Sequence, residues 1–324
     1  MRRVARVVLG GLVCGALAAP WISPQDPHEQ FTDRSYAPPS RVHVRHGDSW
    51  HAPFVYRQVL IDRVTRQFDE DTSTRVPLRW LSDGRLVSVE HGGGPLLWLG
   101  ADGLGRDVWS RLWHGARLSL GVALAGALGA LLIGTFLGAL AGAMRGLADM
   151  AITGVADFVI VLPAVYLVLV LRAAMPLVLD TSVVFLLMTI LFAIAGWPHV
   201  ARGVRAIVAT ERQRDYAEAA RAAGAGHVRL LGHLVPAAYG FLRTELVLLV
   251  PALLVAESTI SFLGLGFPEP KPSWGLMLRD ASSVSAMQLA PWMLSPALLL
   301  FAGVLALQQV AGGVSGDAGR RHGR

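Results

Sequence analysis

Apolar and polar positions along this chain fall into long blocks rather than short periods. Behind Arg2, Arg3 and Arg6, an apolar run occupies residues 7–22. A polar stretch then fills residues 23–113. Residues 118–144 follow, 27 positions without a charge, ample for a tilted membrane span. Further apolar blocks cover about residues 151–174, 182–200, 240–263 and 289–314. The pattern predicts an all-α polytopic membrane protein of about six spans with a small mixed extracytoplasmic insertion. The first helix, residues 1–22, is expected to be retained, although Ala16-Leu17-Ala18 resembles a signal-peptidase site. Residues 114–316 then form the transmembrane domain, with a cytoplasmic loop at 202–238, and residues 317–324 form a cytoplasmic tail.

Individual positions refine the spans. Small residues recur at Gly121, Ala125, Gly129, Gly134, Gly138 and Gly142, which permits close helix contact. Pro163 is expected to kink the third span. Asp157 lies near that span's inner end and is expected to snorkel or pack, with a pathway role as the alternative. Glu257 is the deepest carboxylate of the fifth span, so it is expected to face protein or water rather than lipid.

The polar stretch carries no span. Pro20, Pro24 and Pro27 break the helix before it. Val42-His43-Val44 alternates like a strand. Residues 76–81, a Ser82-Asp83-Gly84 turn and residues 85–89 read as a hairpin. His43, His46, His51 and His91 match no zinc spacing, so no metal site is expected.

Composition narrows the class. Of 324 residues, 53% are hydrophobic and 16% charged, which fits a multi-span membrane protein better than a soluble enzyme. The net charge of +6 comes almost wholly from arginine. The only lysine, Lys271, precedes Pro272, so the Gly-Lys-Ser/Thr of a standard P-loop is excluded. The arginines flank apolar spans and form no aromatic-interleaved surface, so nucleic acid is not an expected partner. Arg202, Arg205, Arg212, Arg214, Arg221 and Arg229 cluster in one loop, and Arg320, Arg321 and Arg324 in the tail. By the positive-inside rule both belong to the cytoplasm, and six spans place both termini there. A lone cysteine, Cys14, excludes internal disulfides and cysteine-based clusters.

That loop, residues 211–236, reads as helix, glycine break, helix. Ala219, Ala220, Ala222 and Ala223 favour the first helix, and Gly224 and Gly226 stop it. Residues 227–235 start a second short helix, which Pro236 is expected to end. A solvated connector is the plain alternative. Glu218-Ala219-Ala220, Gly224 and Leu234-Val235-Pro236 resemble the EAA loop of bacterial ABC-importer permeases. The distance from Gly224 to Pro236 is one residue shorter than usual there. The resemblance implies that this loop, with Asp215, Tyr216, Glu218, Ala219, Ala220, Gly224 and Pro236, docks on an ATPase subunit.

Two further runs resemble the dipeptide, oligopeptide and nickel branch of those permeases. One runs from Leu99 through Gly105-Arg106-Asp107 to Ser110-Arg111 and Gly115-Ala116-Arg117. Physically, Asp102 or Asp107 caps a short interfacial helix and Arg106 pairs with a carboxylate, a structural role rather than substrate contact. The other holds Glu257, Ser261, Gly264 and Gly266, and continues through three prolines to Trp274-Gly275. The resemblance covers about residues 99–314 and implies the helical importer-permease fold in a bacterial inner membrane. It also implies a second homologous permease, two ABC ATPase subunits that carry ATP and magnesium, and an extracytoplasmic solute-binding protein. The chain itself is expected to contact lipid, to bind no cofactor or metal and to catalyse nothing. A peptide is the expected cargo. The alternatives are nickel or another small solute, or a membrane scaffold or sensor.

Overall fold

The computed structural model describes residues 2–46, 49–82, 84–90, 93–144, 146–162, 180–224 and 232–321. They form two compact units. One comprises Val8–Ser119 and Ser258–Ala302, the other Met1–Val7, Leu120–Glu257 and Gly303–Arg324.

Helix α1 (Arg2–Leu17) contributes to both units, and the single turn α2 (Ala19–Ile22) follows it in the first, with Pro20 tolerated at its start. A four-stranded antiparallel sheet comes next, in the order β1 (Val42–His46), β2 (Ser49–Asp62), β3 (Gln67–Ser82), β4 (Arg85–Val89). Val55 pairs with Val76, Leu78 with Val89 and Trp80 with Val87. Val55, Val76, Leu78 and Val87 pack with Leu96 into a small apolar core, which holds the sheet's face. The hairpin expected across residues 76–89 is present, closed by Ser82 opposite Arg85. Strand β2 was not expected. Pro53 and a register shift between Tyr56 and Arg57 interrupt its alternation.

Helix α3 (Val108–Met144) runs 37 residues and contributes to both units. It starts before residue 114, so the boundary drawn there falls inside a helix. In the second unit α3 packs closely on α5 (Thr181–Glu211). A Cβ on Gly129 would come within 2.8 Å of the Ala193 Cβ, and one on Gly134 within 2.7 Å of the Trp197 carbonyl. Gly138 lies against the Ala201 backbone in the same way. The stripe of small residues is therefore a contact seam. Helix α5 runs to Glu211, well past the span expected at residues 182–200. Val200, Val204 and Val208 are buried on one face of this extension, and that apolar stripe holds Arg202 and Arg205 in helix rather than loop.

Helix α4 (Leu147–Val161) lies on α5. Asp149 pairs with Arg205, at 2.7 Å from Nη2 to Oδ2, and Asp157 pairs with Arg202. Asp157 is thus a helix-packing residue. Leu162 leaves the helix for an extended conformation (φ −72°, ψ 118°), as the residue before a proline does. The remainder of the expected third span, including Pro163 and its kink, lies outside the described residues. Helix α6 (Asp215–Ala222) follows α5, and helix α7 covers Tyr239–Phe262. Short helices α8 (Trp274–Ala281) and α9 (Val284–Leu289) precede α10 (Ser295–Arg321).

Among the described residues, four segments are long and apolar enough to cross a membrane: Val108–Met144, Thr181–Glu211, Gly232–Phe262 and Pro291–Ala311. Helix α1, at 16 residues, and the described part of α4, at 15, are shorter than that.

Candidate functional site

Two places gather the residues singled out above. The first is helix α6. Its first turn carries Asp215 and Glu218, suited to the positive end of the helix dipole. Ala217 is fully buried among Ala139, Ala143, Val204, Val208 and Leu234, with Ala220 partly buried beside it. This small apolar contact seats the helix and leaves Asp215, Glu218, Ala219, Ala222 and Ala223 exposed. Tyr216 is half-exposed and donates its hydroxyl to Glu211 Oε2 at 2.8 Å. Glu211 also pairs with Arg214 at 3.0 Å, which pins the link between α5 and α6. Gly224 ends the helix with φ +80° and open space around it, a C-terminal glycine stop. The result is a low-relief face of alanines edged by carboxylates.

The expected second helix at residues 227–235 lies mostly outside the described residues. Its described end, residues 232–234, gives way to a 3-10 turn, Val235–Ala238, that carries Pro236 in its first positions, where a missing N–H costs nothing.

The second place is a buried knot of charge in the first unit. Asp102 Oδ1 accepts the backbone N–H groups of Leu104 and Arg106 at 2.9 and 3.0 Å. Gly105, with φ +77°, makes the tight turn between them and lies against the Phe31 carbonyl. Arg106, only 2% exposed, donates to Asp102 at 2.7 Å, to Glu269 at 2.6 Å and to Asp280 at 3.4 Å. Arg111 adds ion pairs to Asp102 at 3.5 Å and Glu269 at 3.7 Å. Burial alone would lower the Arg106 pKa, but Asp102 and Glu269 outweigh it and raise it. Burial, with Glu269 nearby, pushes Asp280 up to about 6.

Asp107 caps α3. It accepts the N–H of Ser110 at 3.0 Å and of Trp109 at 3.2 Å. Burial nonetheless pushes its carboxyl up to about 7. The helix it caps is the 37-residue α3, not a short interfacial one.

Most of the other signature residues are buried as well. Trp274 is fully buried and donates its indole N–H to the Leu112 carbonyl at 3.0 Å. Ser273 caps α8 by accepting the N–H of Leu276. Gly275 lies against Ser258 and Ser261, Gly266 against Ser261, and Gly264 (φ +79°) against Arg279. Glu257 is fully enclosed by protein.

Sequence reasoning placed Arg106 in an ion pair but missed Glu269 and Asp280 as its partners. It also missed Ala217 as the residue that seats α6, although its position inside the alanine-rich run was a signal. Among the described residues no cluster of three metal-ligating side chains occurs. His43 instead lies 3.0 Å from Glu70, His46 donates to or accepts from Tyr56 at 2.7 Å, and His91 is outside the described residues.

Residues 134–311 match the family described as binding-protein-dependent transport system inner membrane component. The di/tripeptide transport permease DppC of Pseudomonas aeruginosa is 33% identical over 94% of this chain and 85% of its own length. The oligopeptide permease OppC of Bacillus subtilis is 34% identical over 61% of this chain and 62% of its own. The nickel permease NikC of Escherichia coli is 37% identical over 69% and 77%. The family match spans more than half of the chain and the DppC likeness nearly all of it, so the chain belongs to the inner-membrane permeases of ABC importers, in the peptide and nickel branch.

Proposed function

We propose that this chain is one of two permease subunits of an ATP-driven peptide importer, with about six spans, both termini in the cytoplasm and residues 23–113 outside. Helix α6 and Gly224 form the contact through which partner ATPase subunits, carrying ATP and magnesium, drive a switch between inward and outward access. A soluble binding protein delivers the cargo. The observation that carries this reading is the exposed alanine face of α6, seated by the buried Ala217. The missing P-loop adds that the energy arrives by contact. Peptide cargo is supported by the DppC likeness over 94% of the chain.

Nickel is the second reading, supported by the NikC likeness at 37% identity. The test is uptake of labelled tripeptide and of nickel by cells with and without this chain. In parallel, Ala219→Cys in a Cys14→Ser background is crosslinked to a cysteine-bearing ATPase. Deletion should abolish tripeptide uptake, and Ala219→Cys should crosslink. Loss of nickel uptake alone overturns the peptide reading. Uptake with no crosslink at any α6 position removes the helix from the coupling role.

A further inference from the structure

The sheet lies before the matched family region and has no part in the reading of α6. Within its unit, residues of the segment after α2 border a cavity of about 640 Å³ together with strands β2 and β4. Glu29, Phe31, Arg57, Arg85, Val89 and Glu90 are among its walls. The volume suits a small molecule of a few residues' size.

The charges on its walls are not equivalent. Arg85 donates to the Pro24 carbonyl, and Glu90 pairs with Arg79. Both are committed to holding the walls together. Arg57 and Glu29 are exposed, and among the described residues neither side chain has a hydrogen bond or close ion pair; Asp71, opposite Arg57 on β3, is its electrostatic neighbour. The register shift between Tyr56 and Arg57 takes Arg57 out of the regular alternation of β2. The cavity therefore presents one cation and one anion whose hydrogen-bonding groups are unused, with the apolar surfaces of Phe31 and Val89 in the same wall.

A purely anionic ligand would meet Glu29 and Glu90, and a purely cationic one would meet Arg57 and Arg85. A ligand with an anion at one end and a cation at the other satisfies both. We propose that this cavity is a binding site for short zwitterionic peptides. The α-carboxylate sits on the Arg57 guanidinium, the α-ammonium on Glu29, and an apolar side chain rests on Phe31 and Val89. A carboxylate on arginine is a charge-assisted, often bidentate contact, which selects a free C-terminus. The site rests on the peptide-importer reading for its biological sense but not for its chemistry. It would hold cargo on the permease itself, apart from the transport pathway.

The test titrates trialanine, N-acetyl-trialanine and trialanine amide onto the full chain in lipid nanodiscs. Trialanine should bind saturably, and blocking either terminus should weaken binding by about tenfold. Arg57→Ala and Glu29→Gln should each weaken trialanine by about tenfold, while Arg63→Ala, at a residue outside the cavity wall, should bind as the native chain does. Binding that ignores both Arg57→Ala and Glu29→Gln, or no saturable binding at all, overturns the site. Cellular tripeptide uptake separates this from the broader reading. Normal uptake without nanodisc binding removes the cavity alone. Binding without uptake removes the peptide-importer reading and leaves the cavity standing.

Discussion

Gly105 and Gly224 share a left-handed backbone but sit in opposite surroundings. A side chain at Gly105 would run into the Phe31 carbonyl, whereas nothing lies within 4 Å of one at Gly224. Gly105→Ala should therefore combine strain and overlap and lower stability by about 1–3 kcal/mol. A thermal melt in detergent reads this, and an unchanged melting temperature would contradict the contact. At Gly224 only backbone strain acts. Asn, which visits the left-handed region readily, should preserve tripeptide uptake, and Val should not. Equal uptake in the two variants would show that the turn is not needed.

Asp280 supplies a titration with a definite sign. Its carboxyl is raised to about 6 in the folded chain from an ordinary value of 3.8. Its contribution to stability is thus fully present below pH 3.8 and is lost as the pH rises through 6. Asp280→Asn stays neutral throughout. Its melting temperature should gain on the native protein's between pH 4 and pH 7, and a gap that shrinks over this range would refute the assignment.

At the scale of elements, α6 depends on Ala217. Ala217→Leu adds volume to a fully buried contact and should cost about 1–3 kcal/mol while dislodging the helix. Ala222→Leu, on an exposed position, should cost far less. The comparison is made by limited proteolysis of the α5–α6 link, and equal cleavage of the two variants would remove the seat. The same scale shows what could be read without a structure. Residues 118–144 declared a span because no charge interrupts them, and the recurring glycines declared its contact seam. The extra turns of α5 were hidden because Arg202 and Arg205 look like loop residues until Val200, Val204 and Val208 are seen to share a face. Strand β2 was hidden by a proline and a register shift. In the charge knot, Arg106 announced a need for a carboxylate, but nothing in local spacing pointed to partners 163 and 174 positions away.

For the whole molecule, topology is the property to measure. Thr65 in the β2–β3 turn, Ser282 after α8 and Ala223 after α6 are all exposed. Ser88 and Ser273, in the same polar segments, are buried and would report nothing. In a Cys14→Ser background, Thr65→Cys and Ser282→Cys should react with an impermeant thiol reagent added outside intact cells, and Ala223→Cys should not. The reverse labelling would invert the chain in the membrane.

The long reach of the Arg106 pairs also bears on how the protein is made. Synthesis is vectorial, at about 5–20 residues per second, so Arg106 emerges roughly 8–30 seconds before Glu269. Throughout that interval Asp102 is the only acidic member of the knot available to two guanidinium groups. The segment must stay hydrated until the later half arrives. A nascent chain arrested before residue 269 therefore keeps one positive charge of the knot without a carboxylate to balance it.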